Sequence, residues 1–165
     1  MKRRIFLALT GAGILTACAR PGVAKLAPGT TLIILRHGDR SGPDLNATGR
    51  ARADALVGAM DGVEIDAIYA PSVQRNLDTA QPLATNRNLP IDRLPANGMA
   101  TQLITRSAGK TVVWVGNKGN LREIWEALGA GGEPPLNYGD LHIVTTDKLG
   151  GLHIDRRHHG PASSA

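Results

Sequence analysis

An α/β three-layer sandwich, with a mostly parallel sheet flanked by helices, is predicted by three observations on this sequence. Two continuous apolar, β-branched runs, Thr31-Leu32-Ile33-Ile34-Leu35 and Thr111-Val112-Val113-Trp114-Val115, read as strands buried on both faces, as in a parallel sheet. Segments with helical apolar spacing lie between the strands, so strand and helix alternate along the chain. Each of the two runs ends in a polar, glycine-containing stretch, Arg36-His37-Gly38 and Gly116-Asn117-Lys118-Gly119. Ligands of such sheets bind beyond the carboxyl ends of the strands, which is where both stretches fall.

The elements follow in order. After the strand at 31–35, residues 46–60 carry Ala47, Ala51, Ala55, Leu56 and Ala59 among polar residues, a helix with Asn46 or Thr48 as its cap. A second strand is expected over 65–69, a second helix over 73–86 and a short strand over 90–94. The run from Thr111 is the next buried strand, and the helix after it, over 120–128, places Leu121, Ile124, Trp125 and Leu128 on one face. Segments 140–146 and 151–156, joined by Asp147-Lys148-Leu149-Gly150, read as a hairpin at the sheet edge. Trp114 and Trp125 are expected in the core.

With 165 residues the chain has room for a single domain around one core. Hydrophobic residues at 42% and charged residues at 20% exclude wholesale disorder and a polytopic membrane protein. The net charge of +5 suggests nucleic acid until the charges are located. Lys2, Arg3 and Arg4 account for three of the 19 basic residues, and the 16 that remain nearly balance 14 acidic ones. No basic helix or aromatic-interleaved stripe is present, so a nucleic-acid partner is not expected.

Those three charges precede the apolar run of residues 5–17, which has the n-region and h-region of a secretory signal and is too short to span a bilayer. Leu15-Thr16-Ala17-Cys18 resembles a bacterial lipobox, with Cys18 as the lipidated first residue of the mature chain. A single cysteine in an exported protein fits that use, because it cannot form an internal disulfide. Ala19, in place of Asp, implies sorting to the outer membrane. The expected organisation is a signal peptide over 1–17, a lipidated tether over 18–30, a domain over 31–157 and a flexible tail over 158–165. The twelve residues from Ala19 to Thr30, at up to about 3.4 Å each, reach about 40 Å.

The remaining histidines, His142, His153, His158 and His159, gather towards the C-terminus with Asp155. They read as a polar edge strand and a basic tail in preference to a metal site.

A tripeptide such as Arg36-His37-Gly38 is weak evidence alone. Leu35-Arg36-His37-Gly38, followed by Leu45-Asn46-Ala47-Thr48-Gly49-Arg50, is more specific, and it resembles the first signature of the histidine phosphatase (phosphoglycerate mutase-like) superfamily. Ile68-Tyr69-Ala70-Pro71-Ser72-Val73-Gln74-Arg75, with Asp78-Thr79-Ala80, is similar to its second. A third resemblance lies in Val113 to Leu121, where the family has a strand ending in Gly-His and then a helix.

The resemblance implies a metal-free reaction, with no cofactor, in which His37 attacks phosphorus and a phosphohistidine is later hydrolysed. Arg36 and Arg75 would hold the phosphoryl oxygens through charge-assisted hydrogen bonds, and Arg40 would add a contact if a helix began just after His37. Three departures bear on activity. The family's second histidine aligns with Asn117, whose amide can donate a hydrogen bond but carries no charge, and Lys118 beside it is the cation that could compensate. Pro71-Ser72 inverts the usual Ser-Pro. For a proton donor, 81–109 offers only Asp92, which leaves Asp39 as the other candidate. Small bacterial phosphohistidine phosphatases work without such an acid, and this chain is similar to them in length. The expected function is therefore an exported, lipid-anchored phosphohydrolase acting on a phosphomonoester or phosphohistidine. The alternatives are a catalytically degenerate lipoprotein that binds phosphorylated ligands and a lipid-anchored interaction module that keeps only the fold.

Overall fold

A computed structural model describes residues 25–95 and 97–162. Six strands form one sheet in the order β5-β4-β6-β1-β7-β8, and four helices flank it. β1 (Thr31–Arg36), β6 (Thr111–Gly116), β4 (Ala67–Ala70) and β5 (Ile91–Arg93) run parallel; β7 (Asp140–Thr146) and β8 (Leu152–His158) form the antiparallel edge hairpin. The expected α/β fold and its mostly parallel sheet are therefore present.

The central pair explains why the apolar runs carry no alternation. In β1 and β6, Leu32, Ile34, Val112 and Trp114 join one core cluster, while Ile33, Leu35, Val113 and Val115 join the other. Each face needs an apolar cover. On one side stand α3 (Met99–Arg106) and α4 (Lys118–Leu128); on the other, α1 (Ala47–Ala59) and α2 (Gln74–Arg87). Asn46 caps α1, its side chain accepting from the Gly49 N–H at 2.9 Å. The residues of α3 lie outside the helices expected from sequence. It is a two-turn helix that buries Met99, Ala100, Leu103 and Ile104, too short for periodicity to reveal.

Between β1 and α1 the chain makes a small hairpin, β2 (Arg40–Ser41) with β3 (Asp44–Leu45), closed by the Asn46 N–H on the Asp39 carbonyl at 3.0 Å. This replaces the helix on which a contact from Arg40 depended. A glycine pair brings α1 against the turn: a Cβ on Gly38 would lie 2.6 Å from the Gly49 carbonyl oxygen, and one on Gly49 would overlap the Asp39 backbone. Glycine at both positions lets the helix start pack on the strand end.

Both expected termini of the domain differ from the structure. Within the span read as a tether, Leu26 is buried in the core at 4% exposure, and the Thr146 hydroxyl bonds the Ala27 carbonyl at 3.2 Å. Residues 25–30 therefore pack on the domain. The rest of the tether, the signal region and Cys18 lie outside the described residues. At the other end, β8 continues through His158 and His159 is buried at 5% exposure, so the described part of the expected tail is fixed. His142 is also buried, facing Trp125 with ring centroids 5.4 Å apart, and is not part of a polar edge. Among the described residues no cluster of three or more His, Cys, Asp or Glu could hold a metal, and no helix is long and apolar enough to cross a membrane.

Candidate active site

The β1–β6 ladder continues one step past the strands, the His37 N–H donating to the Gly116 carbonyl at 3.0 Å. That bond sets His37 and Asn117 side by side at the carboxyl end of the sheet. His37 is buried, and its imidazole is oriented from both nitrogens. Nδ1 lies 2.8 Å from the Gly38 carbonyl, which can only accept, so Nδ1 carries the proton and Nε2 keeps its lone pair. Arg75 Nε donates to Nε2 at 3.1 Å. Burial pushes His37 down to about 4, against the pull of the Gly38 carbonyl, and the cations Arg36, Arg75 and Arg40 lower it further. At neutral pH the imidazole is therefore neutral, with its lone pair on Nε2.

Arg75 stands in the first turn of α2, and its second terminal nitrogen (Nη2) donates to Asn117 Oδ1 at 3.3 Å. One guanidinium thus joins His37 to Asn117. Asn117 is also the N-cap of α4, its N–H donating to Asn120 Oδ1 at 2.7 Å. The first turns of α2 and α4 therefore both border His37, and helix N-termini favour anions. Thr79 fixes the turn from below: its hydroxyl accepts from the Gly38 N–H at 2.9 Å and donates to the Arg75 carbonyl at 2.7 Å.

Arg36 lies beside this group and is directed elsewhere. Its terminal nitrogens donate to the Leu136 carbonyl and the Tyr138 hydroxyl, each at 3.0 Å, and the guanidinium stacks 3.9 Å from the Tyr138 ring centroid. In this arrangement it supplies positive charge, while Arg75 is placed for direct contact. Tyr138 also faces His37, with ring centroids 5.8 Å apart. It went unrecognised in the sequence because a lone tyrosine in the loop before an edge strand has no pattern that marks it.

The other candidates are not brought to the same point. Arg40 is exposed on β2 and bonds the Gly42 carbonyl; it reaches His37 only through its charge. Lys118 is exposed at the start of α4. Asp39 is buried and its carboxylate is committed to Arg52 at 2.8 Å, which removes it as an available proton donor. Asp92 is exposed on β5, three strands from β1 and so about 14 Å away. No second imidazole faces His37 among the described residues.

The match to known families now bears on this geometry. The model of the histidine phosphatase superfamily (branch 1) matches residues 32–97. The matched segment holds Arg36, His37, the Gly38–Gly49 contact and Arg75; Asn117 and Tyr138 lie beyond it. Solved structures share the fold. The Bacillus stearothermophilus protein YhfR is 21% identical with a TM-score of 0.60, covering 76% of this chain and 95% of its own. The protein histidine phosphatase SixA, complexed with tungstate, is 19% identical with a TM-score of 0.57, covering 78% and 96%. A mycobacterial glucosyl-3-phosphoglycerate phosphatase, in complex with inorganic phosphate, is 14% identical with a TM-score of 0.55, covering 81% and 98%. Curated proteins include no match to the chain.

Proposed function

We propose that this chain is an exported, lipid-anchored phosphohydrolase that works through a phosphohistidine on His37. The observation that carries the reading is the neutral Nε2 of His37, held by the Nδ1 contact with Gly38 and met at 3.1 Å by the Arg75 guanidinium. In the first step Nε2 bonds to phosphorus as the bond to the leaving group breaks, with Arg75 and the two helix starts facing the charge on the phosphoryl oxygens. In the second step water attacks the same phosphorus, orthophosphate leaves and Nε2 recovers its lone pair. With Asp39 tied to Arg52 and Asp92 exposed on β5, neither carboxyl group considered for the proton transfer is at hand to protonate an alkoxide. That favours donors whose leaving group departs readily, phosphohistidine above simple alkyl phosphates. The SixA and glucosyl-3-phosphoglycerate phosphatase structures, with their bound tungstate and phosphate, support an anionic phosphoryl ligand.

A second reading is favoured by Asn117. An uncharged amide stands where the family has its second histidine, so the site could bind phosphorylated ligands without turning them over. Turnover of phosphohistidine and aryl phosphates by the full chain and by Asn117→His separates the two. An additional charge-assisted donor is expected to raise turnover by about tenfold or more, since about 1.4 kcal/mol suffices for each tenfold. Binding without turnover in both proteins would leave the binding module as the function.

For the anchor, the motif Leu15-Thr16-Ala17-Cys18 supports lipidation at the periplasmic face of the outer membrane. Cys18→Ser is expected to move the protein from the membrane fraction to the soluble one after signal processing. Retention through a salt wash would refute it.

A further inference from the structure

Arg52, on α1, is fully buried, and two other segments, the turn at Asp39 and the C-terminal stretch 159–161, meet at its guanidinium. Its Nε donates to Asp39 Oδ2 at 2.8 Å, two residues beyond His37. One terminal nitrogen donates to the His159 carbonyl at 2.5 Å and the other to the Pro161 carbonyl at 2.6 Å. His159 is itself fixed: its backbone N–H and its Nδ1–H both donate to the Gly139 carbonyl, each at 2.9 Å. Gly139 follows Tyr138, the residue that faces His37 and holds Arg36. The packing leaves no slack, since a Cβ on Gly160 would lie 2.9 Å from Arg52 Cγ and one on Gly139 2.6 Å from His158 Nε2.

We infer that Arg52 is a positioning residue for the His37 turn, and that the C-terminal segment of His159, Gly160 and Pro161 is a working part of the site because it holds Arg52 on Asp39. A guanidinium without access to water persists only where an anion and well-placed carbonyls take its donors. Here the anion comes from the nucleophile's own turn and the carbonyls come from the chain terminus. The pairing also masks a negative charge. Asp39 acts electrostatically on Arg36; left unpaired, a carboxylate two residues from His37 would oppose an incoming phosphoryl group and favour the protonated imidazole. Arg52 is thus what allows a carboxylate to sit two residues from the nucleophile without repelling the ligand. The inference rests on the reading that an anionic phosphoryl group binds at His37.

The test uses the full chain, its Arg52→Lys and Arg52→Gln variants, and a variant ending at His158. Two quantities are measured: the dissociation constant for orthophosphate at pH 7, and the midpoint of the His37 imidazole titration by NMR. Arg52→Gln and the shortened chain are expected to weaken orthophosphate by about tenfold, the scale of one lost charge-assisted interaction, and to raise the His37 midpoint from about 4 towards its ordinary 6.5. Arg52→Lys, which keeps a cation beside Asp39, is expected to recover most of the midpoint shift. Folded variants with unchanged midpoint and affinity would overturn the inference and leave Arg52 a packing residue. Should Arg52→Gln fail to fold, Arg52→Lys and the shortened chain decide the matter by the same two readouts. If the unaltered chain binds no orthophosphate, the functional reading fails, whereas the midpoint comparison still decides whether Arg52 positions the turn.

Discussion

Alanine in place of Arg75 is expected to weaken orthophosphate binding by about a hundredfold and to erase the thermal stabilisation that phosphate gives the unaltered chain. Arg75 offers its guanidinium beside His37 Nε2 and Asn117 Oδ1, and under the proposed mechanism a phosphoryl group in line with His37 would place its oxygens there. Two charge-assisted hydrogen bonds are worth about 1.5 kcal/mol each at the low end, and about 1.4 kcal/mol is tenfold in affinity. The other cations do not substitute for it: the terminal nitrogens of Arg36 are taken by Leu136 and Tyr138, and Arg40 and Lys118 are exposed. The fold itself should be little affected, because Arg75 is half-exposed and makes no ion pair among the described residues. Melting curves over a range of phosphate concentrations read the difference, since a ligand of the folded state stabilises it by mass action. The same concentration dependence in both proteins would remove Arg75 from the site.

Much of this arrangement was legible in the residues, for physical reasons. β1 and β6 are apolar on both faces because both faces are covered, and a run without alternation says so directly. His37 and Arg75 could be paired because each follows a recognisable strand, and a parallel sheet brings strand ends together. Gly38 and Gly49 stood in the sequence only as parts of a motif; their close approach, which only residues without a Cβ allow, is visible in the structure alone. What stayed hidden depends on long-range contact. Arg52 looks in the sequence like one more charged helix residue next to Arg50, and nothing local says that it is buried beneath the chain terminus. Asp39 looked available as an acid because its partner lies 13 residues away. Arg40 was placed by assuming a helix where a two-residue hairpin forms. The C-terminal residues, rich in Gly, Ser, His and Ala, have the composition of a frayed tail, yet His159 and Pro161 supply carbonyls to a buried cation.

Trapping the phosphorylated intermediate tests most directly whether His37 carries the phosphoryl group. The full chain is incubated with phosphoramidate, whose leaving group needs no strong acid from the protein, then quenched in base, where phosphohistidine survives and acyl phosphates do not. Mass mapping of the digest is expected to find one phosphate on His37 and none in His37→Ala, a variant whose turnover should fall by about a thousandfold or more. Labelling is expected to persist at pH 5, because burial holds His37 near 4 and so leaves it neutral there, whereas a histidine at its ordinary 6.5 would be mostly protonated and unreactive. Turnover with no phosphate on His37, or labelling undiminished in His37→Ala, would contradict the mechanism.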